Sequence, residues 1–264
     1  MLAFQVASDL DATGEIYVTT WEKLMGSPVP DLRDRSLQLT ANFEGHNFTL
    51  AQGNWDGAWL TWGVIGFTLK GGEVSKIILE IFNRKPELVR LAFGEDTDDL
   101  IEIMTAPKTR QLAWANSISL GTTKVRVAEP WRSGFQRFGE IEEVQALQIE
   151  LANRDYFLPA LQTAKEFGLK SELGIALSFD IHVQNGGVSP SASSEIEDDL
   201  ANHPVTSEQE LRVIISNAVA DNSGSSFRED VRSRKLTIAT GSGSVHGATY
   251  VLRNWGLDES TFSA

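Results

Sequence analysis

The chain has 264 residues, 41% hydrophobic and 22% charged, the proportions of a globular protein long enough for one large or two-lobed domain with a substantial core. Its 36 acidic against 23 basic residues leave a formal charge of −13, which disfavours nucleic acid or an anionic membrane surface as a partner, since phosphate binding needs a basic face. It has no cysteine, which excludes a disulfide framework, thiolate chemistry and a Cys-based zinc site. The first nine residues lack a basic n-region and a usable apolar stretch, so they do not read as a signal peptide. No apolar run approaches the roughly 18 residues of a membrane span, so no membrane insertion is expected.

Residues 1–35 hold few periodic apolar positions, with Pro28 and Pro30, and read as a strap or linker leading into a single domain over residues 36–264. From Asp34, the spacing of Leu37, Thr40, Ala41 and Glu44 predicts a helix that Gly45 stops just beyond Glu44. Residues 46–68 are rich in Thr, Trp, Val, Ile and Phe, broken by Gly53, Gly57, Gly63 and Gly66, and predict short strands and turns. Val74, Ile77, Ile78, Ile81 and Phe82 predict an amphipathic helix ending before Pro86. Short helical runs follow near Leu88–Phe93 and Asp98–Met104, then a strand-leaning piece at Lys124–Val127. Residues 140–167 predict one or two helices broken near Pro159, and Leu173–Val183 is apolar almost all round, as a buried central helix would be. Residues 184–207 hold Gly, Ser, Pro, Asn and an acidic cluster and predict a loop with at most a short helix. Leu211–Val219 and Phe227–Ile238 predict two further helices, and no internal repeat or domain boundary is visible.

Glu44 closes the first long helix, and Asp56 sits in a Gly/Trp-rich turn twelve residues later. Two such carboxyls are the minimal equipment for cutting a glycosidic bond: one protonates the leaving oxygen, the other drives a water or attacks the sugar. Singly, each has a bland reading, a solvated helix end and a turn former. The same stretch carries Trp55, Trp59 and Trp62, whose faces suit sugar rings and would raise the pKa of an acid by desolvation. At least one of these tryptophans is expected in the core. The four histidines, His46, His182, His203 and His246, show no i, i+4 pair and no HExxH, so no protein metal site is expected, and no cofactor. No Gly-x-Ser-x-Gly elbow follows a strand, and the glycine-rich run 241–247 misses a dinucleotide loop in both spacing and position. Asp180 lies inside the apolar helix and must be paired, with Arg228, Arg232 and Arg234 as partners in view. A structural ion pair explains it at least as well as catalysis.

The run Asp56-Gly57-Ala58-Trp59-Leu60-Thr61-Trp62-Gly63-Val64-Ile65-Gly66-Phe67, followed by Gly72-Glu73 and an apolar helix, resembles the family-46 chitosanases of the lysozyme-like superfamily. Their motif runs Asp-Gly-Arg-Gly-Tyr-Thr-x-Gly-Ile-Ile-Gly-Phe, with Gly-Asp a few residues on. Trp131-Arg132-Ser133-Gly134-Phe135 is similar to the family's Trp-x-x-Ala-Phe. Tyr156-Phe157-Leu158-Pro159-Ala160, with Ala164-Lys165 and Gly168-Leu169, looks like its Tyr-Phe-Asp-Pro-Ala … Ala-Lys … Gly-Leu, and Phe179-Asp180 with Asn185-Gly186 is similar to its Tyr-Tyr-Asp … His-Gly. The matches keep their order over residues 36–257.

This resemblance implies an α+β, mainly α, two-lobed lysozyme-like or chitosanase-like fold, with a small β-hairpin element over residues 47–68 beside the cleft. It implies Glu44 as general acid, Asp56 as base and Thr61 as the hydroxyl that helps hold the attacking water. Glu73 would contact the sugar amino group, alongside Trp55 and Trp59 as sugar-binding faces, and Asp180 would be a buried acid paired with Arg. Inverting chemistry would follow, with carboxyls about 6.5–9.5 Å apart. The chain departs from the family in a shorter Glu-to-Asp spacing, in Ala58 where the family has Arg, and in Glu73 where it has Asp. These changes touch substrate binding more than the acid–base pair. The expectation is therefore a lysozyme-type hydrolase of peptidoglycan glycan strands, with chitosan as the runner-up polysaccharide and a catalytically inactive wall-binding module as the reading of another class. The tail, Arg234-Lys235 through 241–247 to Trp255-Gly256-Leu257, looks like the ends of chitosanase-like modules in cell-wall hydrolases and secreted antibacterial effectors. That implies a monomer acting in the periplasm or outside the cell, delivered by a secretion system or phage lysis, with delivery or immunity partners.

Overall fold

Two short helices, α1 (Leu2–Ala7) and α2 (Val18–Met25), occupy much of the stretch expected to be a strap. The computed structural model describes residues 1–14, 16–45 and 47–262. Helix α3 (Leu32–Glu44) starts two residues before Asp34, because the Asp31 side chain caps it by accepting from the Asp34 N–H at 2.9 Å. It stops where expected: Gly45 takes a left-handed conformation that a side chain would resist.

Three short strands follow, β1 (Ala51–Gln52), β2 (Thr61–Trp62) and β3 (Phe67–Thr68), antiparallel in that order. The β element is thus a three-stranded sheet rather than a hairpin, since Trp62 stands opposite both Ala51 and Phe67. Around it lie α4 (Glu73–Arg84), α5 (Pro86–Phe93), α6 (Thr97–Thr105) and α7 (Lys108–Ile118). The small ladder β4 (Ser119–Leu120) and β5 (Arg126–Val127) and helices α8 (Trp131–Gly139) and α9 (Glu142–Ala152) complete this lobe. Sequence periodicity passed over α7 and α8, as α7 buries only Gln111, Ala115 and Ile118 and α8 carries two helix-weakening glycines. Trp62 is the core tryptophan: it is fully buried, stacks on Phe138 at 5.6 Å and donates its indole N–H to the Phe135 carbonyl at 3.1 Å.

A π-helical stretch, Asn153–Phe157, separates α9 from α10 (Leu158–Glu166). The chain stays helical through this stretch, so the break expected near Pro159 is a change of helical register just before the proline rather than a stop. Helix α11 (Glu172–Asn185) is the buried central helix, enclosed continuously from Leu173 to Ile181. Residues 184–207 are not a loop. They form α12 (Pro190–Asn202), started by Ser189, whose side chain accepts from the Ala192 N–H at 3.1 Å, with Pro190 at the first helical position. Ala192 and Ile196, one turn apart, are buried and give the helix its footing. Helices α13 (Glu208–Asp221) and α14 (Arg228–Thr240) follow, then a hairpin of β6 (Ser242–Val245) and β7 (Ala248–Val251). Its two-residue turn, His246–Gly247, has φ of +50° and +81°, the left-handed pair that matches strand twist.

Helix α11 packs against α3, α10, α13 and α14. The C-terminal end of α3 hands the chain to the three-stranded sheet, so Glu44 stands where the helical lobe meets the sheet lobe. The architecture is mainly helical α+β, as expected. Among the described residues, no helix is long and apolar enough to cross a membrane.

Gly139, at the end of α8, shows how closely the sheet lobe is packed: a Cβ there would run into the backbone of Phe48 and Thr49, which lead into β1. Gly139→Ala should cost about 1–3 kcal/mol by overpacking. Urea unfolding should show a lower midpoint with an unchanged m-value.

Candidate active site

A cleft of about 810 Å3 runs between the lobes. It is lined by Glu44, Trp55, Asp56 and Thr61, and also by Asn185, Phe227, Asp230 and His246. Four residues singled out from the sequence thus line one cleft. Trp55 is 50% exposed and offers its face to the cleft space. Asp56 is exposed, and its Oδ1 accepts from the Ala58 N–H at 2.9 Å, which fixes the carboxylate through a local turn. Thr61 is buried, held in β2, and its hydroxyl makes no hydrogen bond to the described protein.

Trp59 and Glu73 do not line this cleft. Trp59 adopts φ of +73°, and its ring lies 5.4 Å from the Lys108 ammonium. Glu73 begins α4, and its carboxylate accepts from the Thr68 N–H at 3.2 Å and the Thr68 hydroxyl at 3.1 Å. That carboxylate closes the turn into the helix, where a negative charge is favoured at the N-terminus. The sugar contacts expected of these two residues are not what the fold brings to the cleft.

Glu44 meets a guanidinium rather than the aromatic wall expected from the sequence. Arg234 Nη1 donates to Glu44 Oε1 at 2.5 Å, while its Nε and Nη2 donate to Asp180 at 2.7–3.0 Å. Asp180 has no exposed surface, and its carboxylate also accepts from Lys235 and from the Thr40 hydroxyl at 3.0 Å. Lys235 Nζ uses its remaining donors on the Asp180 carbonyl at 3.1 Å and Gln184 Oε1 at 2.7 Å. Of the partners foreseen for Asp180 only Arg234 reaches it; Arg228 and Arg232 turn to Asp221 instead. They lie on the other side of α14, since positions two or six residues from Arg234 do not share its face.

The cluster contains two carboxylates and two cations, so its formal charges cancel. Burial alone would raise the Asp180 pKa, but Arg234 and Lys235 outweigh it and hold it down to about 2. Burial also dominates at Lys235 and pulls its pKa down to about 8 against the attraction of Asp180. Arg234 is pushed above its ordinary value: burial opposes the charge, and Asp180 and Glu44 more than compensate.

Asp230, His246 and Phe227 were not foreseen as site residues; no spacing rule could have found them, because they reach the cleft from α14 and the segments flanking it. Lys235, also not foreseen, stays buried behind the cleft against Asp180. Among the described residues, no group of three or more His, Cys, Asp or Glu side chains could hold a metal ion; His46 lies outside those residues.

The sequence matches no protein-family model and no curated protein. Solved structures do match. A GH46 chitosanase from Gynuella sunshinyii, in complex with chitotetraose, aligns with a TM-score of 0.51 at 16% identity, covering 85% of this chain and 98% of that one. A second chitosanase complex aligns with a TM-score of 0.54 at 19% identity, covering 83% of this chain and 96% of that one. At such identities the likeness is one of fold, and the fold is chitosanase-like.

The Asp180 cluster contributes stability that acid removes. A carboxyl whose folded pKa lies below its unfolded value stabilises the fold above the unfolded pKa and loses that contribution as pH falls through the folded one. For Asp180 the window runs from 3.8 down to about 2. It amounts to about 2 kcal/mol of stability. Denaturant titrations across this range should show the loss. Asp180→Asn should cost roughly 3–5 kcal/mol at neutral pH, because it leaves buried cations short of a counter-charge.

Proposed function

We propose that this protein is a glycoside hydrolase that cleaves β-1,4 bonds of an amino-sugar polymer of the chitosan class by inverting acid–base chemistry. The observation that carries the reading is one cleft lined by Glu44, Asp56 and Thr61 in a chitosanase-like fold. Glu44 acts as general acid. Arg234 Nη1 fixes the Glu44 carboxyl, and Glu44 gives its proton to the leaving oxygen. Asp56, exposed to the cleft, takes the proton of the attacking water, and the Thr61 hydroxyl orients that water. Trp55 offers a flat apolar face to a sugar ring.

Glu44, Asp56 and Asp230 in the cleft and the formal charge of −13 suit a polycation. The chitosanase neighbour that carries chitotetraose points the same way. Chitosan therefore moves ahead of peptidoglycan, reversing the order that Ala58 and Glu73 suggested. One observation keeps peptidoglycan as the second reading: the Glu73 carboxylate, implied to bind the sugar amine, is committed to Thr68. The hydrolase unit, expected over residues 36–264 behind a strap of residues 1–35, begins instead with α3 at Leu32, since a boundary at 36 would cut that helix; it acts outside the cytoplasm, where such polymers lie.

Reducing-end release should be measured on chitosan and on purified sacculi. Cleavage of chitosan is expected; muropeptide release with chitosan untouched would restore the peptidoglycan reading. Proton NMR of the first products should show the α-anomer, as inversion at a β-linkage requires.

Glu44→Gln should lower turnover on the order of 10²-fold or more, Asp56→Asn nearly as much and Thr61→Ala less. All three variants should still bind the polymer. A folded Glu44→Gln with near-normal turnover would remove Glu44 from the role of acid.

A further inference from the structure

The hairpin of β6 and β7 takes no part in the chemistry above, yet it grips the residues that carry Glu44. Tyr250 donates its hydroxyl to Asn42 Oδ1 at 2.6 Å, and its ring meets Phe43 edge-on at 4.8 Å. His246, at the hairpin tip, places Nδ1 3.0 Å from the Phe43 carbonyl oxygen and Nε2 2.5 Å from Asp230 Oδ1. With Arg234 on Glu44, the last three residues of α3 are each held by a different side chain. The histidine occupies a left-handed backbone position, a conformation non-glycine residues take at a cost, and the turn aims its ring into the cleft.

Counting donors along the chain of contacts sets the protonation of the ring. Lys235 Nζ has three protons and gives them to the Asp180 carbonyl, Asp180 Oδ2 and Gln184 Oε1. Gln184 must therefore present its oxygen to Lys235 and its NH2 to Asp230 Oδ2, where the distance is 3.0 Å. Asp230 thus accepts on Oδ2 and faces His246 with Oδ1. The Phe43 carbonyl has no proton to give, so Nδ1 must donate. A neutral imidazole has one N–H, so both contacts exist together only when the His246–Asp230 pair holds a second proton, as imidazolium on carboxylate. Asp230 from α14 is the charged group that contacts the ring; Lys235 is linked to it through the neutral Gln184 of α11, Arg234 and Glu44 meet at the neighbouring end of α3, and Tyr250 of its own hairpin binds Asn42.

We infer that His246 is a positioning residue for Glu44: as imidazolium it ties the Phe43 carbonyl to Asp230, and when it loses the proton the end of α3 is released. This rests on Glu44 being the acid of the proposed hydrolysis. Release costs rate because a displacement near 1 Å at the reacting groups is enough to slow chemistry severely. Binding of the polymer, which uses the length of the cleft, changes less.

The test combines NMR and kinetics on the full chain. The imidazole nitrogens of His246, assigned by their loss in His246→Gln, should titrate with the same midpoint as the Phe43 carbonyl carbon. A Phe43 carbonyl indifferent to that titration overturns the inference, whether or not any glycan is cleaved. On the polymer that the wild type cleaves, one limb of the kcat–pH profile should share this midpoint. His246→Gln keeps one contact at most, and should lower kcat on the order of tenfold, with KM changed by less than about threefold, and abolish that limb. A limb that persists in His246→Gln makes the histidine merely structural. Should that variant fail to fold, Asp230→Asn serves: the His246 titration and the kcat limb should shift together, and a shift in one alone overturns the inference. A wild type inactive on every glycan would end the proposed function and leave the NMR result to decide the role of the hairpin.

Discussion

Asp180, a carboxylate with no exposed surface, binds Arg234 and Lys235 from a neighbouring helix, and the arrangement of the helical lobe depends on that contact. An isolated charge so deep would cost several kcal/mol, so the helices must pack in the one way that supplies every partner. Consecutive residues on a helix diverge by about 100°, yet Arg234 and Lys235 both reach Asp180 because α14 lies directly along α11. Thr40 adds α3 to the same junction. Three helices far apart in sequence are thereby fixed in register by one carboxylate.

The candidate acid inherits its surroundings from that junction. Arg234, held by Asp180, in turn fixes the Glu44 carboxyl. Asp56 sits on an exposed turn, where its carboxylate accepts from the Ala58 N–H, and owes its place to local backbone geometry. The two candidate carboxyls are thus positioned by different means, one by a long-range ion pair and one by its own turn.

The residues lining the cleft differ in origin. Glu44, Trp55, Asp56 and Thr61 come from one short stretch of chain, where turns and strands follow in immediate succession. Other lining residues are gathered from α11, α12, α13, α14 and the hairpin. The first set is placed by a local motif and the second by helix packing. The hairpin joins the two, since His246 touches Phe43 across 203 positions of sequence.

The sequence by itself determined what depends on one or two turns of chain. Gly45 ends α3 behind Glu44, the spaced glycines break residues 46–68 into strands, and the apolar run 173–183 becomes the central helix. The grouping of Glu44, Asp56, Thr61 and Trp55 followed from the motif, and the mainly helical class from periodicity. Tertiary structure decided the rest. Within residues 184–207, Pro190–Asn202 became a helix because a Ser-Pro start and two buried side chains find a surface to rest on, which composition does not record. Trp59 and Glu73 left the cleft because a local backbone turn and the N-terminus of α4 claimed them. Glu44 received Arg234 from 190 residues away, and Asp180 chose it over Arg228 and Arg232 by the face of α14 alone. Periodicity and turn chemistry are short-range and written in neighbouring residues; the partner of a buried charge is settled only when helices pack, by which side chains then lie within reach.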